Sequence, residues 1–264
     1  MDNSFGIIED KIPNGLFGCT MTWILEILPY LKRNGIYPNW NIDTHCYGQI
    51  FPAILIPKQI NTTTNIKISI LNIKKSHEYF YKKTECQLAH DLFFEYFDIS
   101  YVILDKVDAI YDLFGKKTLG IHFRGTDKHK EADYISQENV IKNIMAFLTI
   151  ENDFDTIFIA ADEESFISKI KQACLDKKKY NLIFTNSIRS HNKNPIHLHN
   201  TGIVLAQEAM IDSLLLSKCN YVIKTSSCLS DWVKIWNPSI EVYNLNKFRY
   251  SYFPQAIIPV KSYC

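Results

Sequence analysis

Apolar positions follow two regimes along the chain. In the second half they come as short continuous runs: Leu119-Gly120-Ile121-His122-Phe123, Thr156-Ile157-Phe158-Ile159-Ala160-Ala161, Leu182-Ile183-Phe184, Tyr221-Val222-Ile223 and Ile240-Glu241-Val242-Tyr243. Runs this short and β-prone predict strands, and the unbroken one at 156–161 predicts burial on both sheet faces. Between them the period lengthens to that of a helix. Val140, Ile144, Phe147 and Leu148 follow a candidate N-cap, Ser136, and Phe166, Ile167 and Ile170 follow a second, Asp162. Residues 204–216 form a third helical segment, and Ser226-Ser227 opens a fourth. Strands alternating with helices in this way predict an α/β fold with a doubly wound parallel sheet.

The first half is less regular. The run Phe5-Gly6-Ile7-Ile8 precedes a turn-rich loop, Pro13-Asn14-Gly15-Leu16-Phe17-Gly18. A helix with Met21, Ile24, Leu25, Leu28 and Leu31 on one face follows, kinked or ended by Pro29 and stopped at Asn34-Gly35. Short β-prone pieces fill residues 40–71. Two further helical stripes use Leu88, Leu92, Phe93 and Tyr96, then Val102, Val107, Ile110, Leu113 and Phe114. The latter stops at Gly115, ahead of Lys116-Lys117. That stop predicts two α/β units, an N-terminal domain over 1–115 and a C-terminal Rossmann-like domain over 116–264.

Composition narrows the class. The 264 residues are 47% hydrophobic and 22% charged with a net charge of +1, so no global basic field exists to hold nucleic acid and anion binding must be local. Seven scattered cysteines without CxxC pairs suit a reducing compartment. No signal peptide is evident, and the longest apolar stretch, 21–31, is broken by Glu26 and Pro29. The expectation is a soluble cytoplasmic protein without a transmembrane segment, open to peripheral contact with a membrane.

Candidate chemistry gathers at the ends of successive strands, which a parallel sheet places on one edge, where ligands bind in such folds. His122, Arg124, Thr126, Asp127 and Lys128 follow the first strand, Asp162 and Glu163 the second, and Thr225-Ser226-Ser227 the fourth. Arg124 offers a planar fork suited to phosphate oxygens, and a helix N-terminus after Thr225 offers unpaired N–H groups. The plainer roles stand beside these: Ser226, Ser227 and Asp162 as ordinary caps, His122 as a hydrogen-bonded core residue. Asp212 interrupts the apolar pattern of 209–216. It either faces solvent or points at the sheet edge, where one carboxylate can accept the adjacent N1–H and N2–H₂ of guanine. His191, His197 and His199 share a polar loop, but no cysteine or carboxylate lies near at zinc-site spacing, so no metal site is expected. Neither a GxSxG elbow nor a Walker-type loop occurs.

His122-Phe123-Arg124-Gly125-Thr126-Asp127-Lys128 resembles the H-x-R-R-T-D-K motif of the α1,6-fucosyltransferase group, nodulation fucosyltransferases included, and more distantly the protein O-fucosyltransferases. Residues 157–163, Asn186-Ser187-Ile188, residues 211–219 and Thr225-Ser226-Ser227 follow in that family's order. The resemblance implies a GT-B-like fold, GDP-fucose as donor, no cofactor or metal, and inversion at the anomeric carbon. It implies that Arg124 holds the β-phosphate, that His122 lines the donor site, and that Asp212 reads guanine. Thr225, Ser226 and Ser227 would meet the pyrophosphate or the sugar. Lys128 and Glu131, the latter one residue out of the family's register, would flank the acceptor hydroxyl of a glycan or glycolipid precursor. Glu131 is the first candidate for the base and Asp127 the second, unless Asp127 orients Arg124 or Lys128. Two positions depart from the pattern: Gly125 replaces the second arginine, and Cys228 stands where glutamine is common. These departures keep two alternatives open, a transferase using another nucleotide-sugar and a non-catalytic nucleotide- or glycan-binding protein.

Overall fold

The computed structural model describes residues 6–12, 15–58, 66–68, 70, 86–126, 131–175, 180–191, 194, 196, 202–250 and 252–264. The second half contains the expected parallel sheet. Its strands are β7 (Thr118–Phe123), β8 (Thr156–Ala161), β9 (Asn181–Phe184), β10 (Tyr221–Lys224) and β11 (Glu241–Asn244), in the order β11-β10-β7-β8-β9, all neighbours parallel. The chain leaves β7 in one direction through β8 and β9, then returns to add β10 on its other side. The sheet therefore reverses between β7 and β10, the position where doubly wound folds open a crevice.

Both faces of this sheet are covered, which is why β7 and β8 are buried at every position. Leu119, Ile121, Phe123, Ile157 and Ile159 point to one side, against α4 (Gln137–Ile150) and α5 (Glu164–Leu175). Phe123 stacks on Phe166 with centroids 4.3 Å apart. Phe158, Ala160 and Val222 point to the other side, against α6 (Ile203–Ser217). Alternation along a strand thus sorts one apolar run into two cores.

The first half carries its own sheet, order β3-β2-β1-β5, from β1 (Gly6–Ile12), β2 (Asn39–Thr44), β3 (Gly48–Gln49) and β5 (Ile66–Ile68). β1 is parallel to both β2 and β5, and β3 is antiparallel. A separate antiparallel pair joins β4 (Leu55–Pro57) to β6 (Phe97–Ile99). The expected Gly15–Gly18 loop differs: Leu16–Met21 forms a π-helical turn that leads into α1 (Thr22–Arg33). That helix runs through Pro29, where a proline forfeits only one backbone donor near the helix end.

Two inner faces depart from expectation. Leu88 on α2 (Cys86–Tyr96) and Val102 on α3 (Tyr101–Tyr111) are exposed, and Leu113 is exposed beyond the end of α3. The buried positions are Cys86, Ala89, Leu92, Phe93 and Tyr96 on α2, and Ile103 and Val107 on α3. A single apolar cluster carries residues from both sides of position 115, with Phe93 packed 5.5 Å from Trp232 and 5.4 Å from Trp236. Trp232 also donates its indole N–H to Thr22 Oγ1 at 3.2 Å. No helix among the described residues is long and apolar enough to cross a membrane.

Candidate functional site

The crevice between β7 and β10 opens into a cavity of about 570 Å³, within the range typical of small-molecule sites. Its floor is tied together across the switch point. Thr225 donates its N–H to His122 O at 2.9 Å, and Arg124 donates its N–H to Thr225 Oγ1 at 2.8 Å. His122 is buried and lines the cavity while its Nδ1 meets Ser230 Oγ at 2.9 Å, so it is both a core histidine and part of the wall.

Arg124 follows the last residue of β7 and lines the cavity with its side chain 20% exposed. Its Nε lies 3.2 Å from Asp162 Oδ2. Asp162 is the first correction at this site. Rather than capping the following helix, it accepts Gly125 N–H at 3.0 Å, Thr126 N–H at 3.3 Å and Thr126 Oγ1 at 2.7 Å. One buried carboxylate thereby holds Gly125 and Thr126 and aims the Arg124 guanidinium. Such a position is preorganised, because the ion pair and the turn fix each other before any ligand arrives.

Gly125 has a steric reason. A Cβ there would lie 2.3 Å from Glu163 Oε1 and 2.6 Å from Phe123 Cε1. Glu163 is buried and accepts hydrogen bonds from Gln137 Nε2 and Ser165 Oγ, while Phe123 is held by its stack on Phe166. Neither neighbour yields easily. We expect Gly125→Ala to destabilise the chain by about 1–3 kcal/mol as an overpacking change, a fall in Tm of roughly 3–10 °C. A melting curve superimposed on that of the unaltered protein would contradict this fit.

Asp212 occupies another wall of the same cavity and does not face solvent. Its Oδ1 accepts from Thr185 Oγ1 at 2.7 Å, and Thr185 is linked to Ser187 at 2.7 Å. Burial pushes its carboxyl up to about 7, against the pull of the Thr185 hydrogen bond and the nearby Arg189 charge. Glu208, one helical turn earlier on α6, also lines the cavity and accepts Ile188 N–H at 3.0 Å.

The serines after β10 separate. Ser226 is fully buried, with its N–H on Asn246 Oδ1 at 2.8 Å and its Oγ on Asn246 O at 3.0 Å. Thr225 is likewise engaged with β7, so both brace the floor, and Ser227 is the one of the three that lines the cavity. The helix expected to open at Ser226-Ser227 is two short pieces, α7 (Cys228–Asp231) and α8 (Val233–Trp236). Glu131 lines the cavity, half-buried, with its carbonyl accepting Arg249 N–H at 2.9 Å. Asp127, Lys128, His197 and His199 lie outside the described residues. Among the described residues no cluster of three or more His, Cys, Asp or Glu side chains could hold a metal ion.

Several wall residues carry no sequence signal of their own. Among those of the first half are Cys19, Trp23, Glu26 and Tyr47, which line the cavity beside the Gly15–Gly18 turn. Tyr252 closes another side, donating to Asp231 Oδ2 at 2.7 Å and meeting Cys228 Sγ at 2.9 Å. Behind it Lys224 is fully buried, its Nζ 2.8 Å from both Asp231 Oδ1 and Asn244 Oδ1.

No protein-family model and no curated protein matches the chain. Solved structures do. The NodZ α1,6-fucosyltransferase soaked with GDP-fucose superposes with a TM-score of 0.53 at 14% identity, over 89% of this chain and 92% of that one. The NodZ fucosyltransferase from Bradyrhizobium gives 0.54 at 13% identity, over 90% and 95%. POFUT1 in complex with GDP gives 0.52 at 10% identity, over 92% and 98%. At such identities the likeness is one of fold: a GT-B-like α/β architecture shared with fucosyltransferases along nearly the whole chain.

Proposed function

We propose that the protein is an inverting glycosyltransferase that moves fucose from GDP-fucose to a hydroxyl of a glycan acceptor. The observation that carries this reading is the placement of Arg124, aimed by Asp162, and Asp212, held by Thr185, on one cavity at the switch point of the sheet. One group suits a diphosphate and the other a purine with adjacent N–H donors. The GDP and GDP-fucose of the structural neighbours support the same pairing.

In the reaction the bond between the anomeric carbon and the diphosphate oxygen breaks, and its electron pair leaves with GDP. Negative charge grows on the departing diphosphate, where Arg124 meets it. The acceptor oxygen attacks from the opposite face, and its proton passes to a carboxylate. Glu131 is our first choice for that base and Asp127 the second, with Lys128 beside the acceptor. Arg124 supplies the charge, so the reading calls for no metal. The N-terminal unit over 1–115 would present the acceptor and the unit over 116–264 the donor. The tight fit around Gly125, which leaves no space for a second arginine, favours a second reading in which the same site takes another sugar nucleotide.

A thermal-shift series tests the base end. GDP is expected to raise Tm more than UDP or ADP does, with or without a chelator, and equal shifts from all three would remove guanine from Asp212. The effect should also depend on pH. Asp212 must be ionised to accept two guanine N–H groups, and its carboxyl titrates at about 7. GDP affinity should therefore rise about tenfold from pH 6 to pH 8. The apo protein moves the other way. The folded carboxyl keeps its proton where the unfolded one has lost it, so this group's contribution to stability falls as pH rises from about 4 through 7. Asp212→Asn should flatten both trends.

A further inference from the structure

One wall of the cavity is an aromatic shelf. Phe248, Tyr250 and Tyr252 line it at alternate positions, with Phe248 edge-on to Tyr250 at 5.9 Å and to Tyr252 at 5.3 Å. Tyr250 is 62% exposed, while Phe248 is 6% exposed. Tyr250 thus offers an exposed aromatic ring on the wall of the cavity, where a ligand entering it would meet the ring.

The shelf is held from two sides. Phe248 pairs with Ala132 in an antiparallel bridge, flanked by Asp133 N–H on Lys247 O at 2.8 Å and Arg249 N–H on Glu131 O at 2.9 Å. Asn246 Nδ2 adds a bond to Asp133 O at 2.8 Å. At the other end Tyr252 is anchored on Asp231, which Lys224 holds in turn. These bonds order the backbone that bears Tyr250 in advance, so a ligand need not supply that ordering. The same short ladder sets Glu131, another residue of the cavity wall, next to the shelf.

We infer that this shelf is the acceptor subsite and that it takes a pyranose ring, with the ring's C–H face on Tyr250 and a hydroxyl directed to Glu131. The inference rests on the sugar-transfer reading of the cavity and names the chemistry of the second substrate. A pyranose combines an apolar face of C–H groups with an edge of hydroxyls, and the shelf offers an aromatic face beside a carboxylate. A phosphate would be repelled by the carboxylate, and a bare peptide backbone has no face of C–H groups to lay on Tyr250. The base-reading carboxylate, Asp212, belongs to α6 and not to this ladder, so donor and acceptor have separate walls.

Saturation-transfer NMR tests this with GDP-saturated protein and methyl glycosides of glucose, galactose, mannose and N-acetylglucosamine as probes. At least one glycoside should receive saturation at its ring C–H protons. Tyr250→Ala should weaken that glycoside about threefold to tenfold, the loss of one aromatic contact. Tyr250→Phe should retain it, because the ring and not the hydroxyl makes the contact. GDP affinity should stay the same in all three proteins. Equal transfer in Tyr250→Ala, or no transfer from any glycoside to protein that binds GDP normally, would overturn the subsite and leave the nucleotide reading standing. Failure of GDP itself to bind would overturn both.

Discussion

Arg124→Ala is expected to slow GDP release from GDP-fucose about 10²–10³-fold, the usual consequence of removing one preorganised donor from a developing anion. The fold should survive. Asp162, the partner left behind, keeps its bonds from Gly125 N–H, Thr126 N–H and Thr126 Oγ1, so its charge is not stranded. A loss of about 1–2 kcal/mol in stability is the most that an arginine on the cavity wall should contribute. Arg124→Lys separates charge from geometry. Lysine restores a positive charge but cannot hold Asp162 through Nε while turning the rest of a planar fork to the phosphate, so only part of the rate should return. Turnover by Arg124→Ala within tenfold of the unaltered enzyme would remove this residue from the mechanism.

The frame that carries Arg124 is legible in the sequence because the sheet of the second half is buried on both faces. Runs such as 156–161 have no polar face and fit few other structures. The strand ends then follow, with Arg124 and Thr225 on one edge. The partners of these residues are not legible, since each comes from a distant element. Asp162 lies at the position of a helix cap, and only the fold shows the turn at 125–126 arriving at its carboxylate. Ser226 looks like a phosphate ligand until Asn246, twenty residues later, is seen to use both its groups. Asp212 is a milder case. Its apolar neighbours point to burial, but only Thr185 explains how the burial is tolerated.

The first half is harder to read because its helices pack on the second half as well as on their own sheet. The apolar stripe then has no single direction. Val102 and Leu113 fit a helical period and face solvent, while Ile103 and Val107 carry the packing. The same sharing explains why Trp23, Glu26 and Tyr47 reach the cavity without any local motif. Their role depends on how the two halves meet, as at Phe93 against Trp232 and Trp236.

The largest effect on stability should come from Lys224, a residue with no place in the chemistry. Lys224→Met is expected to destabilise the chain by about 3–5 kcal/mol, because it leaves Asp231 charged and buried with its principal counter-ion gone. Lys224 and Asp231 are both fully buried, 2.8 Å apart, and Asn244 takes a further Nζ bond. At this chain length the change corresponds to a fall in Tm of roughly 10 °C. Replacing the pair together, Lys224→Met with Asp231→Leu, should recover much of the loss, since two apolar side chains carry no desolvation penalty. The two properties should then part. Tyr252 would have lost the carboxylate that anchors its hydroxyl, and with it the fixed end of the aromatic shelf. A double variant that melts near the unaltered protein yet transfers sugar poorly would show that this buried ion pair serves the position of the cavity wall. A double variant restored in both respects would reduce the pair to a packing element.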